Sequence, residues 1–489
     1  MYFHKNVFIL VFSMIFFSAN GQIKVNSETT LFLNHPDSLL VQPKNHLKVA
    51  GLVLATNLSV WTYDRFIKGG SYARINLSTI KLNLKTGFVG DNDGFLTNLI
   101  SHPYHGGIYF NAGRCNGLNF WQSAPYSAAG SLMWEFFLEN EPASINDFIS
   151  STFGGTLLGE ISYRLSDRLI DNRSVGFDRF KREALLTLIS PVRGLSRILS
   201  GEAWRHRTSR GNSVRTTPFS IYTSIGYQIL TDRSLKINKN SFMVGYDLGI
   251  LYGNPFDQEN ERPFDFFSFK ASGNFFSKQP ELSLVNSIGM LYCTGFQLQN
   301  STSQLFWGIF QHFNYYQVNG DVINEARNQF KISEAASVGL GLLYKNKFSK
   351  YFIFTGSAYL NAILLGGYHN DYFQPKIRNY NMGSGFSPKL NLELQMNDKA
   401  RFSVNFENFQ LYSWIGNLPG IEEITGSKIL GDKGKANLNV LMLALYYKIN
   451  SHIFVSLQDS YYYSRNIYTN LEDVKHSITG NKLSLGYIF

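Results

Sequence analysis

The sequence predicts a membrane β-barrel of about 12 antiparallel strands preceded by an α-helical N-terminal domain. Three observations support this fold class. The hydrophobic pattern changes from a helical period to a period of two after Pro218, the links between the period-two segments alternate between short and long, and the chain ends in the aromatic residue Phe489. Aromatic residues make up 15% of the chain and charged residues 16%, a balance typical of a protein with a lipid-facing aromatic surface.

The period-two segments place apolar and polar side chains on opposite faces of each strand. In SFMVGYDLGILY, apolar residues from Phe242 onward alternate with Ser241, glycines and Asp247, and KLNLELQM and RFSVNFEN alternate in the same way. A barrel in lipid requires this arrangement, with apolar side chains outside and polar ones inside. The alternative, a soluble β-sandwich, would not need so many outward aromatic residues. The segments begin near residues 219, 241, 265, 280, 303, 331, 349, 386, 399, 436, 451 and 477.

The links between these segments indicate a topology in the outer membrane of a Gram-negative bacterium. Short links near Asn346, Asn397 and Asn450 alternate with longer ones, as do the periplasmic turns and extracellular loops of outer-membrane barrels. A further short link near Gln279 interrupts the alternation and leaves the strand count open by two. The ending NKLSLGYIF looks like the signal that the outer-membrane barrel assembly machinery recognises.

The N-terminus predicts secretion. Lys5 precedes an apolar run at 7–17, and Ala19, Asn20 and Gly21 form an A-x-G cleavage site, so residues 1–21 read as a signal peptide. The alternative is an uncleaved anchor. Residues 22–216 then form the helical domain, periplasmic or in the barrel lumen, and residues 217–489 form the barrel.

Charge and cysteine content exclude some functions. The net charge of +10 suits outer-membrane lipids or acidic glycans, and without a clustered basic motif it gives no case for nucleic acid. The stretch 177–210 is basic and predicts either a connector beside the membrane or a contact with anionic headgroups. Cys115 and Cys293 are predicted to be unpaired.

The helical domain contains three predicted helices. The segment 46–67 is apolar but interrupted by polar residues, which favours a buried or interfacial helix. A second helix, 126–139, is expected to start at Pro125 and to end before Pro142. Ser144, with Asp147 three residues later, resembles a capping box that opens a third helix of about 25 residues.

The second and third helices are predicted to pack as an antiparallel hairpin, because the link between them is short. Gly155 and Gly159 lie four residues apart on the third helix, and Gly130 and Ser131 are small residues on the second. Small residues at this spacing let helix backbones approach closely. Glu160 and Arg164 nearby predict a solvated or salt-bridged face.

His102 and His105 are candidate metal or phosphate ligands, because HxxH spacing can direct two imidazoles toward one ligand. A metal site needs further ligands, which Glu135, Glu139, Glu141 or Asp147 could supply from the neighbouring helices. The alternative is structural, with both histidines capping helices or bonding backbone carbonyls.

Glu135 and Asp147 are the candidate acid–base residues. Glu135 follows Trp134 in an apolar run, so it either pairs with a cation, for which Arg114 is the natural candidate, or has a raised pKa. Asp147 either has an acid–base role or completes the helix cap. Arg114, Trp134 and Asn146 are further candidate ligand-binding residues. The chain has no GxSxG, Walker, Rossmann or HExxH motif, so the common catalytic signatures are absent.

Residues 102–171 resemble the bacterial family known as domain of unknown function 3943, on the strength of HPYHG, NFWQSAP, GSLMWE, EPASINDF and GGTLLGE. The resemblance implies a cell-envelope protein and supplies neither a reaction nor a cofactor. The arrangement of Trp134 and Glu135, then Ser144, Asn146 and Asp147, is also loosely similar to VanZ-like and YfiM-like envelope proteins.

Three functions follow from the sequence. The first is a cell-envelope scaffold, or a protein that binds an envelope protein or lipid ligand through its helical domain. The second is an enzyme that modifies envelope lipids or glycans, with Glu135 or Asp147 in acid–base roles and the two histidines as ligands. The third is a small-solute channel. The enzyme hypothesis requires His102, His105, Glu135 and Asp147 to converge.

Overall fold

The computed structural model describes residues 44–90, 94–208, 217–233, 239–257, 262–275, 277, 279–297, 302–319, 330–372, 380–414 and 433–489. The chain divides into a helical unit, residues 1–89 and 103–216, and a barrel unit, residues 90–102 and 217–489. His102 lies at the division and is the first residue of an α-helix that continues through the helical unit to Arg114. The predicted signal peptide lies outside the described residues.

The helical unit contains eight α-helices among its described residues. They are α1 (His46–Thr62), α2 (Leu77–Thr86), α3 (His102–Arg114), α4 (Phe120–Phe137), α5 (Ile145–Ile149), α6 (Gly155–Leu169), α7 (Gly176–Ile189) and α8 (Pro191–Leu199). The π-helical turn Tyr63–Ile67 extends α1, so the predicted helix 46–67 is confirmed. Among the described residues, none of the helices combines the length and hydropathy needed to cross a bilayer.

The structure moves the start of the second predicted helix. Asn119 caps α4, and Gln122 completes a capping box, so the helix begins before Pro125 and contains it. A strong cap therefore decides the boundary, and the proline costs one internal hydrogen bond. The third predicted helix is confirmed. Ser144 caps α5, and the π-helical turn Ser150–Gly154 joins α5 to α6 without a break.

The barrel unit closes through twelve antiparallel strands, as predicted. They are β1 (Phe219–Asp232), β2 (Lys239–Tyr252), β3 (Phe267–Phe275), β4 (Leu284–Gln297), β5 (Ser303–Val318), β6 (Phe330–Lys347), β7 (Phe352–His369), β8 (Tyr380–Met396), β9 (Ala400–Ser413), β10 (Gly434–Lys448), β11 (Ile453–Tyr468) and β12 (Val474–Ile488). Neighbours in the chain are neighbours in the sheet, and β1 pairs with β12 to close it.

The three very short links that the sequence predicts lie at one end of the barrel. The short links 348–351, 397–399 and 449–452 lie at the end where β1 begins and β12 ends. The link 276–283, which interrupts the alternation in the sequence, lies at the opposite end together with the longer links. It is a short loop of that end, so it implies no missing strand.

The two faces of the barrel wall follow the predicted alternation. Lys389 is 3% exposed, whereas its neighbour Leu390 is 39% exposed. In the last strand, Leu483 and Leu485 are more than half exposed, and Lys482 is buried. The outer face is thus apolar and accessible, as contact with lipid requires.

Part of the barrel interior is apolar, which differs from the prediction of a polar inner face. Buried residues from nine strands form one apolar cluster: Leu230, Met243, Leu284, Tyr316, Val318, Phe330, Ile332, Ile363, Tyr368, Phe409, Leu411, Ala436, Leu438, Val440, Met442 and Ile478. A barrel of this size has a narrow lumen, so inward side chains of distant strands reach one another and pack.

Polar side chains also bond across the interior. The amide nitrogen Nδ2 of Asn286 on β4 donates to Oε1 of Glu407 on β9 at 2.8 Å. The hydroxyl of Tyr316 on β5 donates to Oε2 of the same carboxylate at 2.6 Å. Strands β4 and β9 are not neighbours in the sheet. Side chains of the barrel itself therefore bridge its lumen.

The segment 94–102 joins the barrel unit on the outer face of the wall. Side chains alternate between the two faces along a strand. The Gly366 position faces Leu411 of the interior cluster, whereas the next residue, Gly367, faces Leu99. Leu99 and its segment consequently lie outside, near the end that carries the longer links.

Aromatic contacts hold this segment on the wall. The ring of Phe95 lies 5.0 Å from that of Tyr380 and 5.8 Å from that of Tyr315. Asn98 donates from Nδ2 to the hydroxyl of Tyr380 at 2.7 Å. Both tyrosines are 2% exposed although they point outward. This part of the outer wall is covered by protein and cannot face lipid.

Candidate functional site

Glycines bring helix α3 against the backbone of the turn between α5 and α6. A Cβ atom at Gly106 would lie 2.6 Å from the carbonyl carbon of Ser151, and one at Gly155 would lie 2.6 Å from the Cα of Gly106. The predicted close approach at Gly155 and Gly159 is therefore confirmed. Its partner is α3 and not the predicted second helix, now α4.

This contact sets a register that places His102 beside Asp147. Further along, Asn111 on α3 donates from Nδ2 to Oγ of Ser162 on α6 at 2.8 Å, so the two helices run parallel. His102 precedes Gly106 by one helical turn, and Asp147 precedes Ser151 by one turn. The parallel register therefore brings His102 and Asp147 to the same level.

Helix α4 crosses α3 in the opposite direction and brings Glu135 to the same place. The Gly113 position lies against Ser123, and Gly130 lies against the ring of Tyr109. The rings of His105 and Trp134 are 6.3 Å apart. Residues later in α4 therefore contact residues earlier in α3. Glu135, which follows Trp134, consequently lies near His102 at the start of α3.

The two registers converge on one cluster of possible metal ligands. One ligand atom from each of His102, Glu135 and Asp147 lies within 4.8 Å of the other two. Glu135 is 1% exposed and Asp147 is 4% exposed. The predicted convergence is met by three of the four residues, because the cluster does not include His105.

Hydrogen bonds orient both carboxylates. Oε2 of Glu135 accepts from the backbone N–H of Ser144 at 2.8 Å. Oδ1 of Asp147 accepts from Nδ2 of Asn146 at 2.9 Å, and the backbone N–H of Asp147 donates to Oγ of Ser144 at 3.2 Å. The predicted cap at Ser144 is therefore present, and Asn146 orients the carboxylate of Asp147.

The sequence suggests that Arg114 pairs with Glu135, but in the structure it pairs with Glu160. Its Nε donates to Oε2 of Glu160 at 2.7 Å, and its terminal nitrogen Nη2 donates to Oε1 at 3.1 Å. Arg164 donates from Nε to the same carboxylate at 2.8 Å, and Glu160 is fully buried. The predicted salt-bridged face at Glu160 is thus internal, and the bidentate fit to Glu160 decides the partner of Arg114.

His105 and Trp134 support the cluster from the side. His105 lies between Tyr109 and Trp134, with both ring centroids 6.3 Å away. Burial lowers the pKa of His105 below its usual value, so the imidazole is neutral at physiological pH. Trp134 donates from Nε1 to Oε1 of Glu139 at 2.5 Å. His105 and Trp134 thus pack beside the cluster, and neither belongs to the set of possible metal ligands.

The sequence reasoning missed the cation cluster around Tyr163. The guanidinium carbons of Arg114 and Arg193 each lie 4.4 Å from the centroid of its ring. Arg193 also pairs with Asp167 at 2.5 Å. Arg193 lies on α8, in the basic stretch that the sequence predicts to be a connector beside the membrane or a contact with anionic headgroups. Its pairing with Asp167 of α6 had no local signal in the sequence.

The ligand set suits a divalent transition metal. One imidazole and two carboxylates match zinc, manganese or iron better than calcium, which prefers six to eight oxygen ligands. Zinc bonds of about 2.1 Å separate tetrahedral ligands by about 3.4 Å. The ligand atoms are at most 4.8 Å apart, so shifts of little more than about an ångström in their separation would bring them to the spacing that an ion requires.

One family model matches part of the helical region. Residues 87–192 match the family model described as domain of unknown function DUF3943, which contains the predicted block 102–171. A search of curated protein sequences finds no match.

Solved outer-membrane barrels are similar to this chain in fold. OmpT, an outer membrane protein of Vibrio cholerae, is 8% identical with a TM-score of 0.24, over 56% of this chain and 98% of OmpT. The translocator domain of the autotransporter NalP from Neisseria meningitidis is 9% identical with a TM-score of 0.26, over 61% and 95%. The barrel assignment itself rests on the closed order of strands.

Proposed function

We propose that this chain is an outer-membrane barrel protein whose helical unit binds a divalent transition-metal ion through His102, Glu135 and Asp147. The observation that carries the proposal is the convergence of these three ligand atoms within 4.8 Å. It deepens the expectation of a ligand-binding envelope protein, because it assigns the class of ligand.

The barrel serves as the membrane anchor of this binding unit. Its apolar outer residues, among them Leu340 at 62% and Leu360 at 60% exposure, contact the lipids of a Gram-negative outer membrane. The C-terminal strand, which ends in Phe489, is the segment that the barrel assembly machinery would recognise. The bonds of Asn286 and Tyr316 to Glu407 cross the lumen and favour an anchor over a small-solute channel.

The surroundings of the three ligands support a metal site. Ligating carboxylates are commonly oriented by a second layer of hydrogen bonds, and Ser144 and Asn146 supply such bonds here. The three ligands come from helices α3, α4 and α5. The contact of Gly106 with the backbone of Ser151 holds α3 against the turn that follows α5. The site is thus built into the packing of the helices.

Metal binding is expected to require His102 and Asp147. The full-length protein, purified in detergent and stripped with a chelator, is titrated with Zn²⁺ or Mn²⁺ by calorimetry, and the bound metal is counted by elemental mass spectrometry. Because losing an outer-layer partner already costs about 10- to 100-fold in affinity, we expect H102A and D147N to lose more than about 100-fold.

The matched control is H206A, which removes an exposed histidine of the same unit. It should bind one metal ion with unchanged affinity. A wild-type protein that binds neither metal, or an H102A protein that binds as tightly as wild type, contradicts the proposal. Circular dichroism separates lost binding from lost folding.

A metal-dependent enzyme acting on envelope lipids or glycans is the second candidate function. Three protein ligands leave a coordination position for water, as in catalytic zinc sites. We expect a deletion strain to show an altered lipid or glycolipid profile by mass spectrometry that wild type restores and E135Q does not. Equal rescue by both versions leaves metal binding as the function.

A further inference from the structure

The helices α7 and α8 form a hairpin with an exposed apolar end. Phe177 is 73% exposed, Phe180 59%, Leu199 84% and Trp204 68%. The rings of Phe177 and Phe180 stack with centroids 6.1 Å apart. Large apolar side chains exposed side by side mark an interaction surface.

Buried polar bonds keep these residues at one end of the hairpin. Arg179, in the first turns of α7, donates from Nε to the carbonyl oxygen of Ala203 at 2.9 Å and from Nη2 to that of Glu202 at 2.6 Å. The chain that follows α8 is thereby held beside the start of α7. Trp204, the next residue, therefore lies at the same end of the hairpin as the start of α7.

Buried ion pairs join the two helices. Arg197 on α8 donates from Nη2 to Oε1 of Glu183 on α7 at 2.7 Å, and Arg179 approaches the same carboxylate at 3.2 Å. All three side chains are at most 13% exposed. The exposed end is therefore a fixed surface of the helical unit.

The charge of this region is positive. Residues 171–207 contain eight Lys and Arg against four Asp and Glu, an excess of four positive charges. Lys181 and Arg205 have side chains 38% and 59% exposed, and they pair with Asp178 at 3.8 Å and Glu202 at 3.0 Å. Lys181 Nζ also lies 5.5 Å from the centroid of the Phe177 ring.

We propose that this hairpin end, comprising Phe177, Phe180, Lys181, Leu199, Trp204 and Arg205, binds the headgroups and upper acyl region of an anionic phospholipid surface. Phe and Trp on an apolar face beside Lys and Arg are the composition of interfacial helices. Positive charge complements the phosphate of phosphatidylglycerol. Only the link 209–216 and two further residues separate the described part of this region from strand β1 of a membrane barrel. This inference is independent of the proposed metal site.

The test measures how deeply Leu199 enters the bilayer. The full-length L199C protein is labelled with an environment-sensitive fluorophore and reconstituted in nanodiscs of phosphatidylcholine alone or mixed with phosphatidylglycerol. Lipids that carry a spin label near the headgroup should quench the fluorophore severalfold more in the anionic nanodiscs. The additional substitutions K181Q and R205Q should remove the anionic preference.

The structure offers a matched control and a site-selective labelling strategy. Leu47 on α1 is 85% exposed, so L47C presents an equally exposed label elsewhere on the same unit. The native Cys115 and Cys293 are free, as predicted, and burial raises the pKa of Cys115 to about 11, which keeps its thiol unreactive near neutral pH.

Quenching of the Leu199 label that exceeds that of the Leu47 label, and that depends on phosphatidylglycerol, supports the proposal. Equal quenching of the two labels, or quenching that ignores lipid charge, overturns it. A label on Leu199 that is shielded in detergent before any lipid is added points to a protein partner and also overturns it.

Discussion

The G106A substitution is expected to disrupt the helical unit more than any other single methyl group added to it. A Cβ at this position would lie 2.6 Å from the carbonyl carbon of Ser151 and closer still to its oxygen. Both atoms belong to the backbone, which cannot rotate away. Overpacking usually costs about 1–3 kcal/mol, and we expect G106A to exceed about 3 kcal/mol.

Thermal unfolding by circular dichroism, combined with limited proteolysis of the full-length protein in detergent, measures this effect. G51A is the matched control, because the Gly51 position on α1 has open space around it. Alanine there should stabilise the helix by up to about 1 kcal/mol. A G106A protein that unfolds at the wild-type temperature would show that α3 and Ser151 do not pack as described.

The G106A variant also distinguishes the effect of helix packing on metal binding from the effect of losing a ligand. Gly106 lies one turn after His102 on α3 and has no side chain that could bind the metal ion. G106A should therefore weaken metal binding only to the extent that it displaces α3. Metal binding that survives in G106A while H102A abolishes it would show that His102 acts as a ligand and not through the packing of α3.

The fold was accessible from the sequence because a barrel wall imposes a local rule. Each strand must alternate, so Lys389 could be assigned inward and Leu390 outward without knowledge of any other strand. The apolar interior was not accessible, because Phe409 and Leu411 show the same alternation whether their partners are water or side chains of distant strands. Their environment depends on lumen width, which no single segment encodes.

The candidate site was accessible in its residue types but not in its pairings. His102, Glu135 and Asp147 were singled out by chemistry, and the structure brings them together. Arg114 was assigned to the wrong carboxylate, because Glu160 becomes its neighbour only through the parallel register of α3 and α6. Helix registers are set by glycine contacts across the interface, and the sequence showed the glycines without showing which helix they face.

The substitution K389M is expected to be the most damaging single change in the barrel. Lys389 Nζ lies 2.6 Å from Oε2 of Glu334, and the two side chains are 1% and 0% exposed. Asn314 and Ser387 donate to the same carboxylate at 2.5 and 2.8 Å. Removing the cation leaves a buried charge without compensation, which costs about 3–5 kcal/mol.

The double variant K389M with E334Q distinguishes this mechanism from a loss of packing. It removes both charges, and replacing both members of a buried pair is often neutral, so most of the lost stability should return. The measurement is urea unfolding in lipid vesicles, followed by the heat-modifiable gel mobility of the folded barrel.

A surface pair supplies the control for this experiment. Arg465 and Asp473 lie 2.7 Å apart with side chains 45% and 32% exposed, and R465M should cost at most about 1 kcal/mol because solvent screens such pairs. If K389M unfolds at the same urea concentration as R465M, the Glu334 charge is compensated by water reaching the lumen. The interior would then be wet at this level, and the anchor function of the barrel would have to be weighed again against a channel.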